Sequence, residues 1–184
     1  MRRELRWALK SELERQIREK LPRFRPARLP QLPDFIVFCW TLAPELTVFV
    51  SFQISQKHDS FTTECAWSTK GRFPASMTQM FPRDIPESGI RHDDPIDGEF
   101  RFRLGELFAP RQDFWWHLSP QLTIEDVLRQ QQHVIRTGNL EEEFPIEQAI
   151  ARVPEAVNDA LDRIVRHALP YFGEVARSHG LAIL

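Results

Sequence analysis

The chain has 184 residues, of which 42% are apolar, 27% charged and 11% aromatic, the composition of a folded domain with its own core and too short for two comfortable domains. No uninterrupted run of about 18 apolar residues occurs. The N-terminus reads MRRELRWALKSELERQ, so neither a membrane span nor a secretory leader is predicted, and the expectation is a soluble, cytoplasmic protein. Two cysteines, Cys39 and Cys65, each sit inside an apolar run, so they predict two buried free thiols and no disulfide framework.

The formal net charge of −2 hides an asymmetry: residues 1–33 hold ten Lys/Arg against four Asp/Glu, leaving 14 of the 24 basic and 22 of the 26 acidic residues for the rest of the chain. A basic arm therefore precedes an acidic body. Such an arm either docks onto the body or serves as an electrostatic footprint for an anionic partner, and its alternating charge signs favour docking.

Within the arm, Leu5, Leu9, Leu13, Ile17 and Leu21 recur every four residues and predict a helix ending at Pro22. A connector spaced by Pro22, Pro26, Pro30 and Pro33 follows. Residues 34–42 form a dense apolar run that reads as a strand, Ala43-Pro44-Glu45 as a turn, and residues 46–54 alternate with period two, so the pair predicts a hairpin. Phe61, Thr63, Cys65 and Trp67 mark a third strand, the stretch GEFRFRLG a fourth, and DFWWHL, residues 113–118, a short fifth.

Helices are expected beyond residue 119. Thr123 is placed to cap one that stops at Gly138. From Ile146 the apolar positions keep a helical period, with a break expected at Pro154 and again at Pro170, and a last amphipathic piece spans 171–178. The predicted fold is α+β in one domain, 1–184. It divides into the basic helix and connector (1–33), an antiparallel sheet of about five strands (34–118) and a helical part (119–184), with the N- and C-terminal helices packed on one face of the sheet. The 69–98 stretch has four prolines, three glycines and no sustained periodicity, and reads as a packed loop, a lid or a partner-binding segment.

Most local chemistry fails on inspection. Asp93, Asp97 and Gly98 suggest part of a calcium loop, but Pro95 stands at its third position and Leu104 where the bidentate glutamate belongs. A transition-metal site would need His92 with Asp93 or Asp94 and help from His58 and Asp59, which is a solvated turn more readily than a metal centre. No Gly-x-Ser-x-Gly elbow, Gly-rich phosphate loop or His-Glu-x-x-His is present. No cofactor and no metal is predicted. The run Glu141-Glu142-Glu143 reads as a solvated loop.

A distributed constellation remains. With Val48, Val50, Phe52, Phe61, Cys65, Trp67, Phe100, Phe102 and Leu104 on the core side, period two puts Thr47, Ser51, Gln53, Thr62, Glu64, Arg101 and Arg103 on the other. That face is expected to be open to water. Two arginines two apart project in parallel and suit a carboxylate. The candidate binding residues are Gln53, Glu64, Arg101, Arg103, Trp115 and His117, with Trp115 or Trp116 flanking the arginines; the bland alternative is a solvated face with Glu64 paired to an arginine across the strands.

The order of these pieces resembles a bacterial family known only as a domain of unknown function. The matching positions are Phe52, Gln53, Phe61, the run Arg103-Leu104-Gly105-Glu106-Leu107, Trp115 and Trp116. Ala66-Trp67 departs from that family's pattern, where a leucine-glycine is usual. The resemblance implies an antiparallel sheet with helices and no activity.

The functional expectation is a non-enzymatic binding or regulatory protein acting on a protein partner, of a neutralising or immunity type. A small-molecule hydrolase built from His58, Asp59, His92 and Glu64 is the first alternative. Nucleic-acid binding through the basic arm is the second, weakened because no aromatics interleave with the arginines at base-stacking spacing.

Overall fold

The structure is a computed structural model, and it describes residues 1–56, 58–75, 77, 98–109, 111–119, 128, 132, 135–136 and 145–182. Most of the 69–98 stretch, most of the helix expected from Thr123, His92 and its neighbouring aspartates, and the Glu141–Glu143 run lie outside those residues.

A helix and a sheet dominate the first half. Helix α1 (Arg3–Lys20) buries Leu5, Leu9, Leu13 and Ile17, the row that the four-residue spacing predicted, and leaves its arginines and glutamates outside. The strands follow in order: β1 (Arg25–Ala27), β2 (Phe35–Ala43), β3 (Leu46–Ile54), β4 (Ser60–Ser68), β5 (Glu99–Arg103) and β6 (Trp115–His117). Strands β1 to β5 lie side by side in chain order, and every pairing is antiparallel. The short β6 pairs with the first residues of β4, placing Trp116 opposite Phe61, while β5 pairs with its last residues.

Strand β1 falls within what the sequence reads as connector. Pro26 hides it, because a proline argues against a strand everywhere except an edge, and β1 is that edge.

One face of the sheet carries the main core. Phe38, Val48, Val50, Phe52, Phe61, Cys65, Trp67, Phe100 and Phe102 are all buried on it. Helix α1 covers this face together with α2 (Ile146–Arg163) and α3 (Leu169–Ser178). The antiparallel sheet with helices from both ends of the chain on one face is therefore the α+β fold expected.

Helix α2 corrects one expectation, since it runs through Pro154 without a break. A proline inside a helix costs about 3 kcal/mol through a lost hydrogen bond and a clash with the carbonyl four residues back. Here the buried stripe continues on both sides of it, with Ala149 and Val153 before and Val157, Ala160 and Leu161 after, so packing holds both halves in line. Gln16 of α1 donates to the Pro154 carbonyl at 3.0 Å and Lys20 reaches Asn158 and Asp162 at 2.7 and 2.5 Å, fastening the two helices together.

Pro170 is handled differently. A wide π-turn, Ile164–Ala168, precedes it, and the Leu169 N–H closes onto the Ile164 carbonyl five residues back. The widened turn makes room for the proline ring, the usual cause of such a local irregularity.

Among the described residues no helix is long and apolar enough to cross a membrane.

Candidate functional site

The register places the expected polar residues on one face, most of them in three cross-strand rows: Phe35, Gln53, Thr62 and Trp115 in one, Val37, Ser51, Glu64 and Arg103 in the next, and Cys39, Phe49, Ala66 and Arg101 in the third. Their chemistry is mutual. Arg101 donates from Nε to Glu64 Oε2 at 2.7 Å, and Arg103 Nη1 stands 2.7 Å from Glu64 Oε1 as an ion pair whose N–H is out of line for a hydrogen bond. Arg103 Nε lies 3.6 Å from Asp113, whose carboxylate accepts the Trp115 indole N–H at 2.9 Å.

The face expected to be open is closed at its centre. Glu64 is 1% and Arg101 5% exposed. The guanidinium of Arg101 sits between the rings of Phe35 and Phe73, at 5.0 and 4.7 Å, and also donates to the carbonyls of Pro74 and Ala75. Val37, Phe49 and Ala66 form a second apolar cluster on this side, covered by Ala27 and Leu29 of the connector and by Phe73. The connector and the 72–75 segment thus fold over a face that carries apolar side chains, Val37, Phe49 and Ala66, among its polar ones.

Of the two tryptophans, Trp115 flanks the arginines, with Arg103 5.7 Å from its ring, whereas Trp116 turns into the core and stacks on Phe61 at 5.2 Å. His117 is exposed at the edge beside Ser60. Gln53 is half-buried, and its Oε1 has no partner among the described residues, nor does the Ser51 hydroxyl beside Glu64. The six residues share a face, but Glu64 and the two arginines are engaged with one another rather than offered to solvent.

The hydrolase grouping does not converge in the described part. Asp59 is gripped by Arg2 through Nε and Nη2 at 3.1 and 2.7 Å and accepts the Ser119 hydroxyl at 3.0 Å. Glu64 lies five residues further along β4, on the order of 16 Å away. His58 is exposed in the preceding turn, and its backbone N–H bonds the Ser55 hydroxyl. No three His, Cys, Asp or Glu side chains among the described residues are placed to share a metal ion.

A different region is open. Between α1, the 22–33 connector and the first residues of β2 lies a cleft of about 980 Å³, within the size range of ligand sites. Its floor is apolar, with Ile17, Phe24, Leu29, Leu32 and Phe35. Its walls carry five cations, Arg6, Lys10, Arg18, Arg25 and Arg28, against the single carboxylate of Glu14.

Those cations differ in how far they are occupied. Arg6 reaches Asp34 at 3.4 Å and the Pro33 carbonyl, and Arg25 caps the carbonyls of Pro22 and Phe24. Lys10 stands 3.9 Å from Glu14. Arg18 and Arg28, both exposed, have no hydrogen-bond or ion-pair partner among the described residues. Trp7 is 73% exposed. At 100° per residue it falls on the same stripe of α1 as Lys10, Glu14 and Arg18, about one turn before Lys10, although it does not itself line the cleft.

Sequence reasoning missed the cleft because its walls come from two elements read separately. The signal was present as the basic balance of residues 1–33, but only the return of the connector along β2 turns that charge into a concave surface.

No known protein family matches the chain, and neither a curated protein nor a solved structure is significantly similar to it. The run from Arg103 to Leu107 that carries the resemblance has a local structural role: it forms a 3₁₀ turn in which the Glu106 carboxylate accepts the Arg103 N–H, and a Cβ at Gly105 would run into the Gln112 carbonyl.

Proposed function

We propose that this protein is a non-enzymatic binding or regulatory protein acting on a protein partner, and that the cleft between α1 and the connector is its working surface. The supporting observation is the pairing of an apolar floor with a cationic rim in which Arg18 and Arg28 stand unpaired among the described residues. Elsewhere ionisable groups are spent on one another: Glu64 of the sheet face on two arginines, and Asp59 of the turn before β4 on Arg2.

Arginine beside exposed aromatic and apolar surface is the composition of interface hot spots. A neutralising role, in which the protein covers a partner's acidic surface, fits such a site because charge complementarity speeds encounter and rejects wrong partners. Quantitative capture from the native cell extract by the intact protein, by Arg18→Glu/Arg28→Glu and by His117→Ala tests the reading. Proteins retained by the intact chain and by His117→Ala but lost by the double variant are expected; identical retention by all three contradicts it.

A further inference from the structure

Resting on that reading and carrying it further, we infer that the cleft takes an acidic peptide segment of its partner, in which carboxylates flank one large apolar side chain. The argument begins with charge. Arg18 comes from α1 and Arg28 from the connector, so the two cations, unpaired among the described residues, reach the cleft from two different elements. Planar guanidinium groups donate to carboxylates in a two-pronged geometry that a point charge does not offer.

Between the walls the floor is apolar, and Leu29 and Phe35 are only half-buried, which leaves apolar area to be covered by a side chain from the ligand. Trp7, exposed on α1 about one turn before Lys10, supplies a large, stiff surface beside the cleft.

The mode of binding is by side chains. The neighbouring sheet edge, β1, has three residues and its central one, Pro26, has no N–H to donate, so an incoming strand finds little to pair with. A nucleic acid is the poorer fit: single strands are held by several stacking aromatics along a continuous basic track, whereas here one exposed tryptophan stands nearby and the cations are interrupted by Glu14.

Fluorescence anisotropy on the full chain tests the inference. The probes are labelled peptides in which Asp/Glu pairs bracket a Phe or Leu at spacings of about two to five residues, their Asn/Gln counterparts, and a single-stranded oligonucleotide of about 12 nucleotides. At least one acidic peptide is expected to bind. Its affinity should fall about tenfold or more in Arg18→Glu/Arg28→Glu, in the amide counterpart, and between about 50 and 300 mM salt. Trp7→Ala should weaken it severalfold, and all three positions are exposed, so the fold is expected to stand.

Failure of every acidic peptide, equal binding of the amide peptides, or binding unchanged in the double variant overturns the inference. Tighter binding of the oligonucleotide, lost in the same variant, replaces it with a nucleic-acid site. If no peptide binds while the double variant still loses a partner from the extract, the inference falls and the proposed function stands; if neither responds, both fall.

Discussion

Glu64 and Arg101 meet across β4 and β5 with 2.7 Å between Oε2 and Nε, at side-chain exposures of 1% and 6%. Removing one partner of such a buried pair leaves the other charge uncompensated, which costs about 3–5 kcal/mol. Glu64→Ala is therefore expected to destabilise the protein by that amount in urea unfolding, since it strands both Arg101 and Arg103; Arg101→Ala is expected to cost less, because Arg103 still faces Glu64, but more than a surface change, because the guanidinium also leaves its place between Phe35 and Phe73. The double variant should cost clearly less than the two together, because Glu64→Ala already removes the carboxylate that Arg101 answers. Stability within about 0.5 kcal/mol for either single variant would mean that the face is solvated after all.

Helix α1 is part of the core. Leu13 is fully buried in it, so Leu13→Ala is expected to cost about 2–5 kcal/mol. A melting temperature unchanged by that substitution would detach α1 from the folding unit and remove one wall of the cleft.

The two thiols should separate in a titration of the native protein. Cys65 is fully buried beside Glu64 and Glu106, and burial followed by those carboxylates pushes its thiol far above the ordinary range. Cys39, expected to be buried too, lies on the second face and is partly exposed, with its thiol raised by burial alone. One slow-reacting thiol in the folded state and two after denaturation is the expected count. Rapid labelling of Cys65 would contradict its position.

His167 gives stability a pH dependence. It packs on Phe108 at 5.2 Å, and burial, then Arg166 and Arg163, hold its imidazole below the ordinary value. A base whose folded pKa is depressed binds fewer protons folded than unfolded, so its contribution is complete above about pH 6.5 and is lost as pH falls below that value. The decline in melting temperature on going from pH 7 to pH 5 should flatten in His167→Gln. An unchanged slope would assign the decline to other groups.

The strands were legible where period two was clean. Phe100 and Phe102 point inward and Arg101 and Arg103 outward, as FRFR implies. Less visible was that the outward side is also covered. Phe49 already stood on the polar side of the β3 alternation and was the available sign, but what covers it comes from Ala27, Leu29 and Phe73, distant in sequence. Pro154 misled because a local rule about a ring and a carbonyl was outweighed by a buried stripe extending over the whole of α2. The cleft was the least legible part, since proximity of α1, the connector and β2 is a tertiary fact that no periodicity encodes.

The central claim is that the working surface is the α1 cleft and not the ion-paired sheet face. Photo-crosslinking in the native extract, with a photoreactive residue in place of Leu29 in the cleft or of His117 at the edge of β6, tests it most directly. The account predicts a discrete crosslinked partner from position 29 that disappears when Arg18→Glu and Arg28→Glu are added, and none from position 117. A partner crosslinked from position 117 alone, indifferent to those two substitutions, would contradict it.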